Sequence, residues 1–253
     1  MNFIFDLDGT ICFKGQPISK RILDVLLELE EAGHFVGFAS ARPCRDMLPV
    51  LDDRFGGHLL IGANGAMTFY RKQPLAYQPI PGPLAGQIVN LLNDYEAEYL
   101  IDDTWNYAYR LSPGHPFLAN VDPHGLARRV ELDDIQSFVK IVVLSCSRFE
   151  ELSAKLRALD VTIHHHSSEG ILDVTSQGVN KMAALSGCGL QLDEFICFGN
   201  DNNDLPLFRK AKHSVLIGDH DALAELAKER IAVDDRTEEN ILQKLKELGT
   251  VLV

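Results

Sequence analysis

The sequence has few positive charges, no C-x-x-C cysteine pairs and no long apolar run. Each of these absences excludes a class of protein. It holds 24 Lys and Arg residues against 36 Asp and Glu residues, for a formal net charge of −12. A general nucleic-acid binder or a binder of anionic membranes needs a surplus of positive charge to neutralise phosphates. We therefore expect no nucleic acid and no membrane among its partners, and any phosphate that it binds must meet a local positive charge.

The cysteines are five, an odd number, and none forms a C-x-x-C pair. Neither a disulfide framework nor a zinc site is therefore indicated, and a reducing compartment fits best. No run approaches the roughly 18 consecutive apolar residues of a membrane span, and the N-terminus lacks the basic flank and long apolar stretch of a signal peptide. We expect a cytoplasmic protein, either a monomer or a small homo-oligomer.

What is present is an alternation of strand and helix patterns from the first residues onward, which is typical of a parallel sheet covered by helices. Residues 3–5 predict a buried strand. A helix is predicted between Ser19, a suitable N-cap, and Gly33, at the position of a C-terminal cap. Further strands are predicted over residues 34–39 and 59–61.

The pattern of predicted strands and helices changes between about Pro79 and Gly178. Three prolines and a glycine at 79–83 mark a boundary, and the stretch has an α+β pattern of its own. The alternating strand and helix pattern then returns. It predicts a helix over 179–185, strands over 195–198 and 214–217, and two amphipathic helices over 221–248. We predict a doubly wound parallel-sheet core from residues 1–78 plus 179–253, with an inserted α/β cap from residues 79–178.

The strongest chemical signal is the pentapeptide DLDGT, which carries Asp6 and Asp8 directly after the first strand. The carboxyl edge of a parallel sheet is the usual ligand position in open α/β folds. Two clustered carboxylates are unfavourable unless a cation neutralises them, and hard oxygen ligands suit Mg²⁺. The pentapeptide therefore predicts a magnesium site at this edge.

At these residues the sequence resembles the haloacid dehalogenase superfamily of phosphatases, whose first motif is D-x-D-G-[TS]. The resemblance covers the whole chain. It implies that Asp6 is the nucleophile that attacks phosphorus and that Asp8 is the general acid/base. It also implies that both residues help to hold Mg²⁺, Asp8 through its backbone carbonyl.

The next two motifs of the superfamily are also matched. Ser40 and Ala41, in FASARP, stand where the subgroup commonly has T-G-R-P, and the resemblance implies that they bind the phosphoryl group, with the Ser40 hydroxyl as donor. Lys181, in GVNK, matches the lysine that offsets charge on Asp6 and the phosphoryl oxygens. The family's order of motifs is kept in both cases.

The fourth motif, usually G-D-x-x-N-D, reads GNDNND at residues 199–204. Asn200 falls where the family has a directly coordinating Asp, so this metal ligand would be a neutral oxygen. Asp201 could compensate if the turn shifts. The resemblance further implies that Asn203 faces the substrate phosphate and that Asp204 acts on the metal from the outer sphere.

The position of the insertion resembles the type II capped, Cof-like subgroup, as does the stretch GANGA at residues 62–66. The resemblance implies a Mg²⁺-dependent phosphomonoesterase for a small phosphorylated metabolite such as a sugar phosphate, with an α/β (C2-type) cap that closes over the site. Two alternatives stay open. One is a phosphomutase of the phosphomannomutase type; the other, motivated by Asn200, is a binding module whose catalysis has decayed.

Overall fold

The computed structural model describes residues 1–166, 170–192 and 194–251, and it contains two β-sheets with helices packed on them. The strands are β1 (Asn2–Phe5), β2 (Phe35–Ala39), β3 (Leu59–Gly62), β4 (Met67–Tyr70), β5 (Gln73–Tyr77), β6 (Glu98–Asp102), β7 (Tyr107–Arg110), β8 (Lys140–Ser145), β9 (Val161–His166), β10 (Ile171–Ser176), β11 (Phe195–Gly199), β12 (His213–Ile217) and β13 (Glu229–Ile231). The α-helices are α1 (Lys20–Glu31), α2 (Cys44–Met47), α3 (Gly82–Asp94), α4 (Phe149–Arg157), α5 (Lys181–Gly187), α6 (Leu205–Phe208), α7 (Asp221–Ala224) and α8 (Thr237–Val251).

The larger sheet has eight strands in the order β13-β12-β11-β1-β2-β3-β4-β5. The pairs from β13 to β3 are parallel, whereas β4 and β5 add an antiparallel hairpin. Its central strands are mostly apolar, as in residues 3–5 of β1, because parallel strands are covered on both faces. Asp6 and Ser40 follow two neighbouring central strands and therefore meet at one edge.

Helix α1 shows how the local sequence fixes an element of this core. The Ser19 hydroxyl accepts a hydrogen bond from the Ile22 backbone N–H, which satisfies one unpaired donor at the helix start. Ile22, Leu26 and Leu29 are buried on one face, at helical spacing. The predicted cap and buried face are both confirmed.

The second sheet has five antiparallel strands in the order β7-β6-β8-β10-β9. Alternation along β6 places Tyr99 and Ile101 in a cluster with α3 and α4, while Leu100 and Asp102 face the other way. That other face is directed at the larger sheet, because Asp102 contacts Arg45 of α2. One face of the second sheet thus covers the strand ends that carry Asp6 and Ser40.

The predicted fold class, an α/β core with a parallel sheet, is confirmed, with two differences in detail. The hairpin of β4 and β5 was not predicted. Two helices were predicted over 221–248, and α7 and α8 are found there, but the edge strand β13 between them was not predicted. Residues 167–169, between β9 and β10, lie outside the described residues.

Within the described part of the chain, no helix is long and apolar enough to cross a membrane. The exact limits of core and cap, 1–78 plus 179–253 and 79–178, stay a prediction.

Candidate active site

Asp6 lies at the end of β1, where its backbone N–H donates to the Phe198 carbonyl of the neighbouring strand β11. Its Oδ1 accepts from Lys181 Nζ at 2.6 Å and its Oδ2 from the Thr10 hydroxyl at 3.0 Å. Burial raises the pKa of Asp6 to about 7; Lys181 acts against this rise and Asp204 adds to it. The carboxylate is thus held in a fixed orientation by two donors in a dry environment.

Lys181 begins α5 and is completely buried between two carboxylates. Its Nζ lies 2.6 Å from Asp6 Oδ1 and 2.7 Å from Asp204 Oδ1. Burial lowers the pKa of this amine, but Asp204 and Asp6 more than offset that effect, and the pKa lies above its usual value. We call Asp6, Lys181 and Asp204 the strand-end cluster. It brings together residues from three of the predicted motifs.

The backbone of the fourth motif fixes Asp204. Its Oδ2 accepts from the backbone N–H groups of Asn200, at 2.9 Å, and Asp201, at 3.2 Å, while its Oδ1 accepts from Lys181. Both oxygens are therefore engaged by protein donors. This geometry suits the predicted outer-sphere role better than direct binding of a metal.

Asp8 is turned away from this cluster. Its carboxylate is half exposed and accepts two hydrogen bonds from Arg42, from Nε at 2.7 Å and from Nη2 at 2.6 Å. Such a bidentate pair holds the carboxylate in a definite plane. The structure thus brings Asp8 to the loop after β2, and not into contact with Asp6.

Ser40 ends β2 and is buried; its Oγ accepts from the Arg42 backbone N–H at 3.1 Å. The next residue, Ala41, has its carbonyl bound by Lys140 Nζ, at 2.8 Å, from strand β8 of the second sheet. Asn203 Nδ2 donates to Asn64 Oδ1 at 3.0 Å. The predicted phosphate-binding residues therefore lie at the same edge, each held by a neighbouring loop or strand.

Asn200, the predicted metal ligand, lies against Asp6 and the backbone of Asp8. One terminal atom of its amide lies 3.0 Å from Asp6 Oδ2 and 3.0 Å from the Asp8 carbonyl oxygen. Nitrogen in this place donates to both oxygens, whereas oxygen in this place makes a group of three acceptors. Gly9 makes room for the amide, since its φ is 77° and a Cβ there would overlap Asn200.

The donors around Asn200 fit Mg²⁺. Neighbouring ligands of an octahedral Mg²⁺ ion, bound at 2.0–2.1 Å, lie about 2.9 Å apart, close to the 3.0 Å spacings from the amide atom to Asp6 Oδ2 and to the Asp8 carbonyl. With its amide oxygen turned inward, Asn200 would be the third oxygen donor beside Asp6 Oδ2 and the Asp8 carbonyl. Among the described residues, no three His, Cys, Asp or Glu side chains could hold a metal together, so a site here depends on a carbonyl and an amide.

A second group of buried charges joins the two sheets. Arg45 of α2 lies 2.5 Å from Asp102 Oδ1, and Lys140 Nζ lies 3.7 Å from Asp102 Oδ2 and 3.6 Å from Asp173 Oδ2. We call Arg45, Asp102, Lys140 and Asp173 the bridging cluster. Asp173 also accepts from Asn64 Nδ2 at 2.8 Å, and this bond continues the contact to the loop that holds Asn203.

Between the sheets lies a cavity of about 310 Å³. Asp8, Ala41, Arg42 and Arg45 line it from the core, and Asp102, Lys140 and Asp173 line it from the second sheet together with apolar residues of that sheet. A groove between α1 and α8 is larger, about 680 Å³, but holds none of the predicted site residues. The cavity beside Asp8 is therefore the candidate substrate site.

Comparison with protein families gives a decisive match: residues 3–245 fit the model of the haloacid dehalogenase-like hydrolases. The chain belongs to this family. The recognition and the enzyme class predicted from the sequence, a phosphatase of the haloacid dehalogenase superfamily, are confirmed. The chemical roles assigned to single residues stay predictions.

Two curated relatives of this haloacid dehalogenase-like hydrolase illustrate the range of its family. The HMP-PP phosphatase of Serratia proteamaculans is 25% identical over 85% of this chain and 82% of its own. The 5-amino-6-(5-phospho-D-ribitylamino)uracil phosphatase YitU of Bacillus subtilis is 22% identical over 96% of this chain and 95% of its own. Among solved structures, the subclass IIB sugar phosphatase BT4131 superposes with a TM-score of 0.81 at 19% identity, covering 98% of both chains.

Three site residues, Arg42, Thr10 and Asn64, were missed by sequence reasoning. Arg42 stands in the quoted FASARP stretch, and its contact with Asp8 could have been suspected from the position of both residues after neighbouring strands. Thr10 stands in the first motif and donates to Asp6. Asn64 had a weaker signal, its place in GANGA, and no feature of the sequence pairs it with Asn203.

Proposed function

We propose that this chain is a Mg²⁺-dependent phosphomonoesterase that hydrolyses a small phosphorylated metabolite through an aspartyl-phosphate on Asp6. One observation carries the proposal: the buried Asp6 carboxylate, fixed by Lys181 and Thr10, lies beside the Asn200 amide and the Asp8 carbonyl. An oriented, partly desolvated carboxylate is a suitable nucleophile. The names of the curated relatives, phosphatases of small metabolites, support the same substrate class.

Asp6, the Asp8 carbonyl and Asn200 would hold the metal. When bound, Mg²⁺ supplies positive charge that neutralises the phosphoryl oxygens and the nucleophile. Lys181 offers a fixed ammonium on the same carboxylate, and Ser40 can donate its hydroxyl hydrogen to a phosphoryl oxygen. Asp204 keeps Lys181 in place through its 2.7 Å contact.

Attack by an Asp6 oxygen forms a P–O bond while the bond from phosphorus to the leaving oxygen breaks. Asp8 is the proposed donor of a proton to that leaving oxygen, and afterwards it takes a proton from the water that hydrolyses the acyl phosphate. Because both Asp8 oxygens accept from Arg42, at least one of these bonds must break before Asp8 can donate a proton. Substrate entry next to Arg42 would allow this release.

The experiment compares the wild-type chain with Asp6→Asn on a panel of phosphorylated metabolites, with and without Mg²⁺. We expect wild-type release of inorganic phosphate only with Mg²⁺, and a loss of kcat of more than about 10³-fold in the variant, because an amide is a poor nucleophile. Mass spectrometry of acid-quenched wild type should find a phosphoryl group on the peptide containing Asp6.

Thermal unfolding of Asp6→Asn serves as the control for an intact fold. Near-normal turnover in a folded Asp6→Asn protein would refute the covalent mechanism. Recovery of an isomerised phosphate ester, with no inorganic phosphate, would favour a mutase instead.

A further inference from the structure

The turn between β3 and β4 places an asparagine in a backbone conformation that side chains rarely adopt. Asn64 has a φ of 57° and a ψ of 20°, and it is completely buried. Asparagine tolerates this left-handed region better than most residues with a Cβ, but glycine adopts it without strain. The backbone alone therefore gives no reason for an amide side chain at this position.

The backbone of this turn is tied to the loop after β2. The Asn64 N–H donates to the Ser40 carbonyl at 3.0 Å, and the N–H of the preceding residue, Ala63, donates to the Arg42 carbonyl at 2.7 Å. Ser40 is one of the predicted phosphate-binding residues. The Asn64 side chain thus starts from a point that is fixed relative to the proposed phosphate site.

The amide of Asn64 joins the second sheet to the fourth motif. Its Nδ2 donates to Asp173 Oδ2, on β10, at 2.8 Å. Its Oδ1 accepts from Asn203 Nδ2 at 3.0 Å. All three side chains are buried. Asn64 therefore uses both ends of its amide to connect a carboxylate of the second sheet with the residue predicted to face the substrate phosphate.

The Asp173 carboxylate fixes the direction of both amides. A carboxylate accepts hydrogen bonds, so Asn64 must turn its Nδ2 toward Asp173. Its Oδ1 then faces Asn203 and can accept only from the Nδ2 of that residue. Reversing either amide would place two acceptors or two donors against each other, which is costly in a buried place. Asn203 is thus held in one orientation.

This orientation leaves Asn203 with hydrogen-bonding capacity for a ligand. Its Nδ2 carries two hydrogens, and the bond to Asn64 uses one of them. Its Oδ1 is buried and accepts no hydrogen bond from the described residues. Because a buried polar atom without a partner is costly, Asn203 is a group that a ligand would complete. A phosphoryl oxygen can accept from the second hydrogen, and a water or a protonated phosphoryl oxygen can donate to Oδ1.

We propose that Asn64 is a positioning residue for phosphate binding: together with Asp173, it orients the Asn203 amide so that the second N–H is directed at the phosphoryl group. This inference rests on the proposed function and adds a residue to it. Asn64 acts through Asn203 and does not itself contact the substrate. Its effect therefore concerns the phosphoryl group and is independent of the leaving alcohol.

The first test is Asn64→Gly, which removes the amide and keeps the left-handed backbone free of strain. We expect kcat/KM to fall by about 10- to 100-fold, the value of one hydrogen bond to a charged group. The factor should be the same for any two phosphomonoesters that the wild type hydrolyses. An unchanged kcat/KM, or a loss that depends on the alcohol, would overturn the proposal.

Ala63→Gly is the matched control. Ala63 lies in the same turn, is buried and also has a left-handed backbone, with a φ of 51°. The substitution loosens the turn but removes no hydrogen bond, so kcat/KM should stay within about 2-fold of wild type. If Ala63→Gly loses as much as Asn64→Gly, flexibility of the turn explains the effect and the positioning role is wrong.

A double-mutant cycle shows whether Asn64 acts through Asn203. In an Asn203→Ala background, Asn64→Gly should lower kcat/KM by less than about 3-fold, because the group that it orients is already absent. Thermal unfolding of each variant checks that the chain is folded. The full loss in both backgrounds would refute action through Asn203.

Exchanging the two partners gives a second test that keeps all polar groups. Asn64→Asp places two carboxylates against each other and should lower kcat/KM at least as far as Asn64→Gly. Adding Asp173→Asn lets an amide donate to position 64, where the other oxygen can still accept from Asn203. The double variant should recover at least about 10-fold in kcat/KM over Asn64→Asp alone. A folded double variant without recovery would contradict the proposal.

Calorimetric titration with inorganic phosphate in the presence of Mg²⁺ separates this inference from the proposed function. Asn64→Gly should weaken phosphate binding by about 10-fold or more, and Ala63→Gly should not. If the wild type hydrolyses phosphomonoesters and Asn64→Gly binds phosphate normally, the positioning role is wrong and the phosphatase stands. If the wild type hydrolyses none but its phosphate binding depends on Asn64, the proposed function is refuted and the positioning role stands. If it neither hydrolyses nor binds, both are refuted.

Discussion

The protein buries two groups of charges, and they differ in what they hold together. The strand-end cluster places Lys181 between Asp6 and Asp204, all within the core, with distances of 2.6 and 2.7 Å. The bridging cluster places Arg45 against Asp102 at 2.5 Å and so joins the core to the second sheet. Both clusters bury a cation against carboxylates, yet only the first contains the proposed nucleophile.

This difference shows that burial of an ion pair does not identify its role. A buried charge is costly to strip of water, and its partner repays that cost only with good geometry. In the first cluster the ions surround the proposed nucleophile, Asp6. In the second they orient two sheets and shape the cavity between them. Removing the central cation from each cluster should therefore give different kinetic results at similar structural cost.

The largest effect is expected for Lys181→Met. The substitution leaves Asp6 and Asp204 buried beside each other without their cation, so the free energy of unfolding should fall by about 3–5 kcal/mol. The kcat of the folded fraction should fall by more than about 10² because the phosphoryl oxygens lose a fixed positive charge. Urea unfolding and phosphate release measure the two effects.

Lys212→Met is the control for that change, because Lys212 pairs with Glu194 on the surface. Its cost should stay within about 1 kcal/mol. A Lys181→Met enzyme with normal kcat would show that this lysine has only a structural role.

The next effect is expected for Arg45→Met, which should also cost about 3–5 kcal/mol by leaving the buried Asp102 with Lys140, at 3.7 Å, in place of its closer partner. Because Arg45 does not contact Asp6, the effect on kcat should be smaller than for Lys181→Met. Combining Arg45→Met with Asp102→Leu should restore part of the lost stability, as measured by urea unfolding. If the double variant loses more free energy of unfolding than the two single variants together, the two residues do not act mainly as an ion pair.

A pH-dependent effect is expected at Asp46, which borders the bridging cluster. Burial raises the pKa of this carboxyl to about 6, although Arg45 acts to lower it. Between about pH 4 and pH 6 the unfolded chain loses this proton before the folded chain does, so the free energy of unfolding decreases as pH rises. Asp46→Asn has no carboxyl at this position, so this titration is absent from the variant. Relative to wild type, its free energy of unfolding should increase by roughly 1–3 kcal/mol from pH 4 to pH 7.

Thermal or urea unfolding across that pH range measures the change. A pH-independent difference between Asp46→Asn and wild type would contradict it.

The smallest effect is expected at the metal site. Asn200→Asp adds a negative charge next to Asp6 Oδ2 and should tighten Mg²⁺ binding roughly 10-fold, measured by calorimetric titration without substrate. Asp201→Ala should change the affinity little, because the Asp201 side chain accepts from the Asn202 backbone N–H at 2.7 Å and lies 3.9 Å from His220. If Asp201→Ala weakens Mg²⁺ binding while Asn200→Asp leaves it unchanged, the ligand is Asp201 and not Asn200.

The strand-end cluster could be predicted because its members follow buried strands or begin a helix, in an order that the motifs fix. Lys181, for example, comes directly before an apolar helix and after a strand. The carboxyl ends of parallel strands meet at one edge, so local patterns were sufficient to bring these residues together. The predicted α/β core followed from the same regularity.

The bridging cluster could not be predicted in this way. Arg45 and Asp102 are 57 positions apart and belong to a short helix and an antiparallel strand. Their contact depends on how the second sheet sits on the first, which no local pattern specifies. The hairpin of β4 and β5 was missed for another reason: β5 is largely exposed and contains Pro74, so it lacks the apolar alternation of a strand.

The turn at Gly65 holds the two ends of the segment that forms the second sheet close together. Gly65 has a φ of 106°, and a Cβ there would overlap the Asn180 carbonyl, while the next residue, Ala66, accepts a hydrogen bond from Gln78 at 2.8 Å. The chain thus leaves the larger sheet near Gln78 and returns to it near Asn180, and both points contact the adjacent residues Gly65 and Ala66. Because the two ends of the intervening segment lie close together, we expect that a segment of another length between Gln78 and Asn180 would leave Asp6 and Lys181 in place.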